Sequence, residues 1–205
     1  MSAQPAGPGP VPADHADRLR WNAKYAAGFV PSFVPHPLAA RVFGSLSSDL
    51  PDGPLAELAC GPSGAALLAA ASGRRVTAVD VSEIALGMLG EEARRRGLDH
   101  LITLVHADLS AWWPDPRSYA VILCTGFWAS GVFTAAADAV VPGGLLGWEA
   151  FTAQARRSRP SLPADWCLAA GEPASLLPPD FTVLDQHDRG QKRQLLARRA
   201  PAATR

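Results

Sequence analysis

From Pro54 to Phe151 the chain alternates short, nearly continuous apolar runs with longer stretches in which apolar residues recur at helical spacing. "PLAELA" predicts a strand, "GAALLAAAS" a helix ended by Gly73, and "RRVTAVD" a second strand. "SEIALGMLGEEARRRG" predicts an amphipathic helix capped by Ser82 and closed by Gly97. Strands follow at "LITLVHAD", "YAVILCTG" and "GGLLGWEAF", with "GVFTAAADAV" as a helix before the last. Apolar strands alternating with helices imply a parallel sheet covered on both faces, which is an α/β, doubly wound, Rossmann-like fold. Two final runs, "FTVLDQHD" and "KRQLLARR", are joined by "RGQ" and read as a hairpin, which sets an antiparallel strand beside the parallel ones.

The flanking segments are less regular. "RLRWNAKYAAGF" places Leu19, Trp21, Tyr25 and Phe29 at helical spacing, and Pro37 starts a short helix after the Pro-punctuated "VPSFVPHP". A long Pro-rich stretch runs from Thr152 to Pro179 with one short helix expected around Pro173 to Leu177, and loops of that length in compact domains are often functional. The Pro- and Ala-rich start predicts a flexible arm over residues 1–17, a single domain over 18–199 and a short flexible tail over 200–205.

Composition narrows the function. A 205-residue chain that is 48% apolar supports one core. Its 19 basic and 19 acidic residues balance, which leaves no electrostatic footprint for nucleic acid or an anionic membrane. The run "EEARRRG" reads as a solvated helix face, because its acids and arginines fall at i, i+4. Cys60, Cys124 and Cys167 form no C-x-x-C pair and no Cys/His cluster, so neither a disulfide framework nor a metal is expected. The N-terminus lacks the basic and apolar regions of a signal peptide, and no apolar segment approaches the length of a membrane span. A cytoplasmic protein with a small-molecule partner is expected.

The candidate chemistry gathers at the carboxyl ends of the strands, where open α/β sheets bind ligands. "LAELACGPSG" joins the first strand to the first core helix. Gly61 there permits a close approach of backbone to a ligand, and Asp80, about 20 residues on, stands where an acid can accept hydrogen bonds from ribose hydroxyls. Glu57, Asp80 and Asp108 end successive strands. An acid in the turn would repel a pyrophosphate, whereas S-adenosylmethionine carries an ammonium and a sulfonium and no phosphate. The run also lacks G-x-G-x-x-G, which disfavours an NAD(P)-linked oxidoreductase.

Several ordered motifs carry a family resemblance. The stretch "LAELACGPSGAALLAAASGRRVTAVDVSEIAL", with "LVHADL", "YAVILCTGFW" and "VVPGGLLGWEAF", resembles class I S-adenosylmethionine-dependent methyltransferases. "RWNAKYAAG" and "SRPSLPADWCLAAGE" are similar to the opening and late segments of the small bacterial group around tellurite-resistance and thiopurine methyltransferases. The resemblance implies a seven-stranded sheet with an antiparallel last strand and methyl transfer to a small-molecule S, O or N nucleophile. It implies that Glu57, Ala59, Gly61 and Ser63 form the cofactor turn, with Asp80 and Val81 at the ribose and Asp108 and Leu109 at the adenine. Cys124 and Thr125 would face the methionine moiety, and Trp21 and Tyr25 would close over the cofactor. Ala59 and Ser63 stand where such turns usually carry glycine; alanine is an ordinary variant there, whereas Ser63 with Pro62 makes the turn stiffer. His36 and Glu149 are candidate bases, and His36, Phe127, Trp128 and Phe151 candidate substrate contacts. The alternative is a non-transferring or pericyclase-like protein that keeps the fold and the cofactor.

Overall fold

The computed structural model describes residues 9–112 and 114–202; the first eight residues of the expected arm and the last three of the expected tail lie outside it. Seven strands form one sheet: β1 (Leu55–Leu58), β2 (Val76–Asp80), β3 (Ile102–His106), β4 (Tyr119–Thr125), β5 (Val140–Phe151), β6 (Phe181–Arg189) and β7 (Lys192–Arg199). They lie in the order β3-β2-β1-β4-β5-β7-β6. The first five run parallel, while β7 pairs antiparallel with both β5 and β6. Strand order reverses between β1 and β4, so a crevice opens above their carboxyl ends.

Among the described residues five α-helices accompany the sheet: α1 (Ala16–Ala26), α2 (Pro37–Phe43), α3 (Gly64–Ala71), α4 (Glu83–Arg95) and α5 (Ser130–Ala139). Alternation along the strands sends Leu55, Val121 and Leu145 toward α2 and α3. Ala56, Ile122 and Trp148 go to the opposite face, under α5 and Leu168. The second face relies partly on the segment after β5, which forms short 3-10 turns at Ala153–Arg157, Ala164–Trp166 and Ala174–Leu176. The last of these falls where the short helix was expected.

Residues 9–17 differ from the expected free arm. Val11 is buried, and Arg18 donates to its carbonyl at 3.0 Å. The same guanidinium grips Glu83, at the start of α4, with bonds of 2.6 to 3.1 Å, while His15 caps α1. Composition indicated a mobile segment; one buried valine and one bidentate ion pair hold it against the domain instead. α1 is thereby set across the crevice.

Candidate functional site

A cavity of about 430 Å³ lies above the strand ends, roofed by α1. Its floor is the turn after β1, and two backbone features shape that turn. Ala59 and Gly61 both have positive φ, at 48° and 56°. Gly61 meets the resulting demand without strain, whereas Ala59 pays a local penalty for its Cβ. A Cβ at Gly61 would also stand 3.0 Å from the Tyr25 hydroxyl, so glycine lets the roof close onto the floor.

Asp80 ties this turn to the next strand. One carboxylate oxygen accepts the Gly61 amide and the other the Ser82 amide, each at 2.8 Å. The side chain is nearly buried yet borders the cavity, and burial raises its pKa although the amides of Ser82 and Gly61 work against that. Each oxygen keeps a second acceptor site for a ligand hydroxyl. Asp108 faces the cavity from the end of β3 and is half-buried. Burial disfavours its charge, but hydrogen bonds from Ser110 and the nearby His15, 3.3 Å away, outweigh that and hold its pKa low.

Glu57 takes a different position from the one its motif implied. It shares the face of Leu55, is 3% exposed, and lies beneath the start of α3 rather than on the cavity wall. Ser63, the N-cap of α3, donates to both of its carboxyl oxygens at 2.7 and 2.6 Å and accepts the amides of Ala65 and Ala66. Ser63 is likewise off the cavity wall. The serine in place of a glycine therefore locks the turn to β1.

Burial pushes the Glu57 carboxyl up to about 7, against hydrogen bonds from Ser63 and Ala66 that lower it. Between the ordinary carboxyl range and pH 7 the folded chain then holds a proton that the unfolded chain has lost. The stabilisation is full below about pH 4.5 and is lost as pH rises through 7, by up to about 3 kcal/mol. Urea unfolding of the native protein and Glu57→Gln checks this. The native protein's stability relative to the variant should fall by about that amount between about pH 5 and pH 8, and a difference independent of pH would contradict it.

Most other expected cofactor contacts converge on the cavity. Trp21 and Tyr25 form the roof, stacked with centroids 5.9 Å apart, and Val81, Leu109 and Thr125 line the walls. Cys124 does not reach it: its side chain is fully buried among the core under α5, where its thiol approaches the Phe127 carbonyl. Phe127 and Phe151 border both this cavity and an adjoining apolar chamber of about 310 Å³, and Trp128 borders the chamber alone.

His36 and Glu149, the expected bases, lie outside both spaces. His36 Nδ1 accepts the Leu38 amide as the cap of α2, which leaves Nε2, 3.3 Å from Glu149, to carry the proton. Glu149 also receives Lys192 at 2.7 Å and Gln194. Burial opposes its charge, but these three donors hold its pKa down to about 2. A carboxylate so engaged is a poor proton acceptor, and its role is to steady Lys192, whose side chain borders the cavity.

Sequence reasoning did not single out a histidine and four charged residues of the lining: His15, Asp17, Lys24, Arg159 and Lys192. Lys24 and Arg159 stand inside the two motifs "RWNAKYAAG" and "SRPSLPADWCLAAGE", whose aromatic and proline positions drew attention first.

The donor set suits a nucleoside cofactor without phosphates. The amides of Ala65 and Ala66, at the start of α3, are already taken by Ser63, and a buried carboxyl lies beneath them. The two α3 amides that Ser63 takes are not available to a pyrophosphate, whereas Asp80 and Asp108 suit hydroxyl and cationic groups.

Residues 55–144, from β1 into β5, match the family model described as a methyltransferase domain. Solved structures share the fold. The magnesium protoporphyrin IX methyltransferase ChlM from Synechocystis PCC 6803, with bound S-adenosylhomocysteine, is 16% identical; the alignment covers 91% of this chain and 95% of that one, with a TM-score of 0.66. The CcbJ methyltransferase from Streptomyces caelestis is 15% identical over 87% of this chain and 96% of that one, with a TM-score of 0.60. The [4+2]-cyclase SpnF is 17% identical over 96% and 100%, with a TM-score of 0.64. No curated protein sequence matches the chain. The chain shares the seven-stranded Rossmann-like fold of these structures, and its residues 55–144 are similar to a methyltransferase domain. Among the described residues no helix is long and apolar enough to cross a membrane.

Proposed function

We propose that this protein is an S-adenosylmethionine-dependent methyltransferase acting on a small molecule. One observation carries the reading: a crest cavity bounded by Asp80 and Asp108 opens directly into an aromatic-walled chamber, so two reactants can lie side by side. The cofactor is S-adenosylmethionine, which supplies a methyl group on a sulfonium. Asp80 and Val81 would hold its ribose, Asp108 and Leu109 its adenine, and the Gly61 turn its amino-acid end. Trp21 and Tyr25 cover the cleft and exclude water, while Phe127 and Phe151 divide cofactor from acceptor.

When bound, the cofactor would supply its methyl carbon to an acceptor lone pair and keep the carbon–sulfur electron pair on sulfur, any proton of the acceptor passing to water. The chain's contribution is to hold and orient the reactants, which is worth about 7–11 kcal/mol when the geometry is good. No side chain need act as the base for a nucleophile that arrives deprotonated. The likeness of "RWNAKYAAG" and "SRPSLPADWCLAAGE" to the tellurite-resistance and thiopurine methyltransferase group supports a small acceptor, since Trp21, Leu162 and Trp166 from these segments face the chamber. Calorimetric titration with S-adenosylhomocysteine tests the reading, with binding of one molecule per chain as the expected result.

A further inference from the structure

We propose that the chamber beside the cofactor cleft selects an aromatic acid: an acceptor with a flat apolar body and one anionic oxygen group. The inference rests on the methyltransferase reading for the position of the cofactor and adds the chemistry of the acceptor.

The body of the chamber is apolar, walled by Trp21, Phe127, Trp128, Phe151, Leu162 and Trp166. Flat rings can stack or meet edge to face on such walls. Its charged groups are unequal. Asp17 is the one acid on its wall and is already engaged, 3.0 Å from Arg20. Lys24 also borders the chamber, and Arg159 borders the adjoining cavity.

Among the described residues, neither Lys24 nor Arg159 has a carboxylate within 4.0 Å. Both are carried on the aromatic walls themselves. The Lys24 ammonium lies 4.4 Å from the Trp21 ring centroid and the Arg159 guanidinium 4.7 Å from that of Phe151. Arg20 lies 4.3 Å from the Trp166 ring centroid. Cations that lie over these wall rings keep N–H groups free to reach a carboxylate on a ligand beside them by charge-assisted hydrogen bonds. A cationic acceptor would meet the like charges of Lys24 and Arg159, and a neutral one would leave both without a carboxylate partner.

The test compares 2-naphthoate with its neutral isostere 2-naphthamide by calorimetry, with and without saturating S-adenosylhomocysteine. In the native protein naphthoate should bind at least about tenfold more tightly, equivalent to ~1.4 kcal/mol. The double variant Lys24→Gln/Arg159→Gln should shrink that preference to about threefold or less in the absence of S-adenosylhomocysteine, with its circular dichroism unchanged. Equal binding of the two probes, or binding of neither, would overturn the proposal. So would a double variant that keeps the preference but loses S-adenosylhomocysteine, because the two cations would then serve the cofactor's own carboxylate. Failure of the cofactor reading looks different: S-adenosylhomocysteine would not bind the native protein, while the naphthoate preference could still be read in its absence.

Discussion

Asp80→Ala should weaken binding of S-adenosylhomocysteine by at least about a hundredfold, or ~2.7 kcal/mol. Asp80 serves the site twice. Its two oxygens hold the amides of Gly61 and Ser82, so the turns after β1 and β2 are fixed against each other. Its remaining acceptor sites face the cavity, where two ribose hydroxyls would find them. Charge-assisted hydrogen bonds of this kind contribute about 1.5–3 kcal/mol each, and removal of the carboxylate also frees the floor. Asp80→Asn should fall between, since one oxygen survives. Asp138→Ala, on the exposed side of α5, is the control and should stay within about twofold. Equal losses at Asp80 and Asp138 would refute the assignment.

Trp148→Ala should cost about 3–5 kcal/mol of stability, the range for removing a large buried aromatic ring. Trp148 is fully buried on β5, edge-on to Phe133 at 5.2 Å and to Trp128 at 6.3 Å between centroids. Its indole nitrogen also donates to the Phe127 carbonyl at 2.9 Å, which fixes the wall between cavity and chamber. Trp148→Phe keeps most of the ring volume but not this donor, so it should cost less in stability while still loosening Phe127. Urea unfolding separates the two variants, and a loss under about 1 kcal/mol for Trp148→Ala would contradict the packing described.

The sheet was legible because its strands are short apolar runs set between capped helices, as Ser82 before α4 illustrates. The face taken by Glu57 was not. In a strand buried on both sides the sequence carries no polar alternation, so nothing in "LAEL" shows which way Glu57 points. Ser63 did carry a signal. A serine just before "GAALLAAA" is an N-cap by ordinary preference, a signal that the comparison with a glycine-rich turn obscures. His36 likewise sits one residue before the Pro37 that opens α2, a capping position that uses up its Nδ1. The contribution of residues 9–17 was hidden for another reason. It depends on Val11 and on an ion pair from Arg18 to Glu83, 65 residues away, which no local pattern records.

Cys124 shows the limit of transferring a role along a motif. Alternation on β4 turns its side chain into the core, and only the next residue, Thr125, reaches the crest. The cations at the chamber leave no trace in the net charge, which cancels over the whole chain and says nothing of the few residues that the fold brings together.

The most direct test of the account is a side-by-side calorimetric titration of the folded protein with S-adenosylhomocysteine and with NADH. The account predicts saturable one-to-one binding of S-adenosylhomocysteine and none of NADH, whose pyrophosphate would face a turn already capped by Ser63. Binding of NADH with no heat from S-adenosylhomocysteine would contradict it.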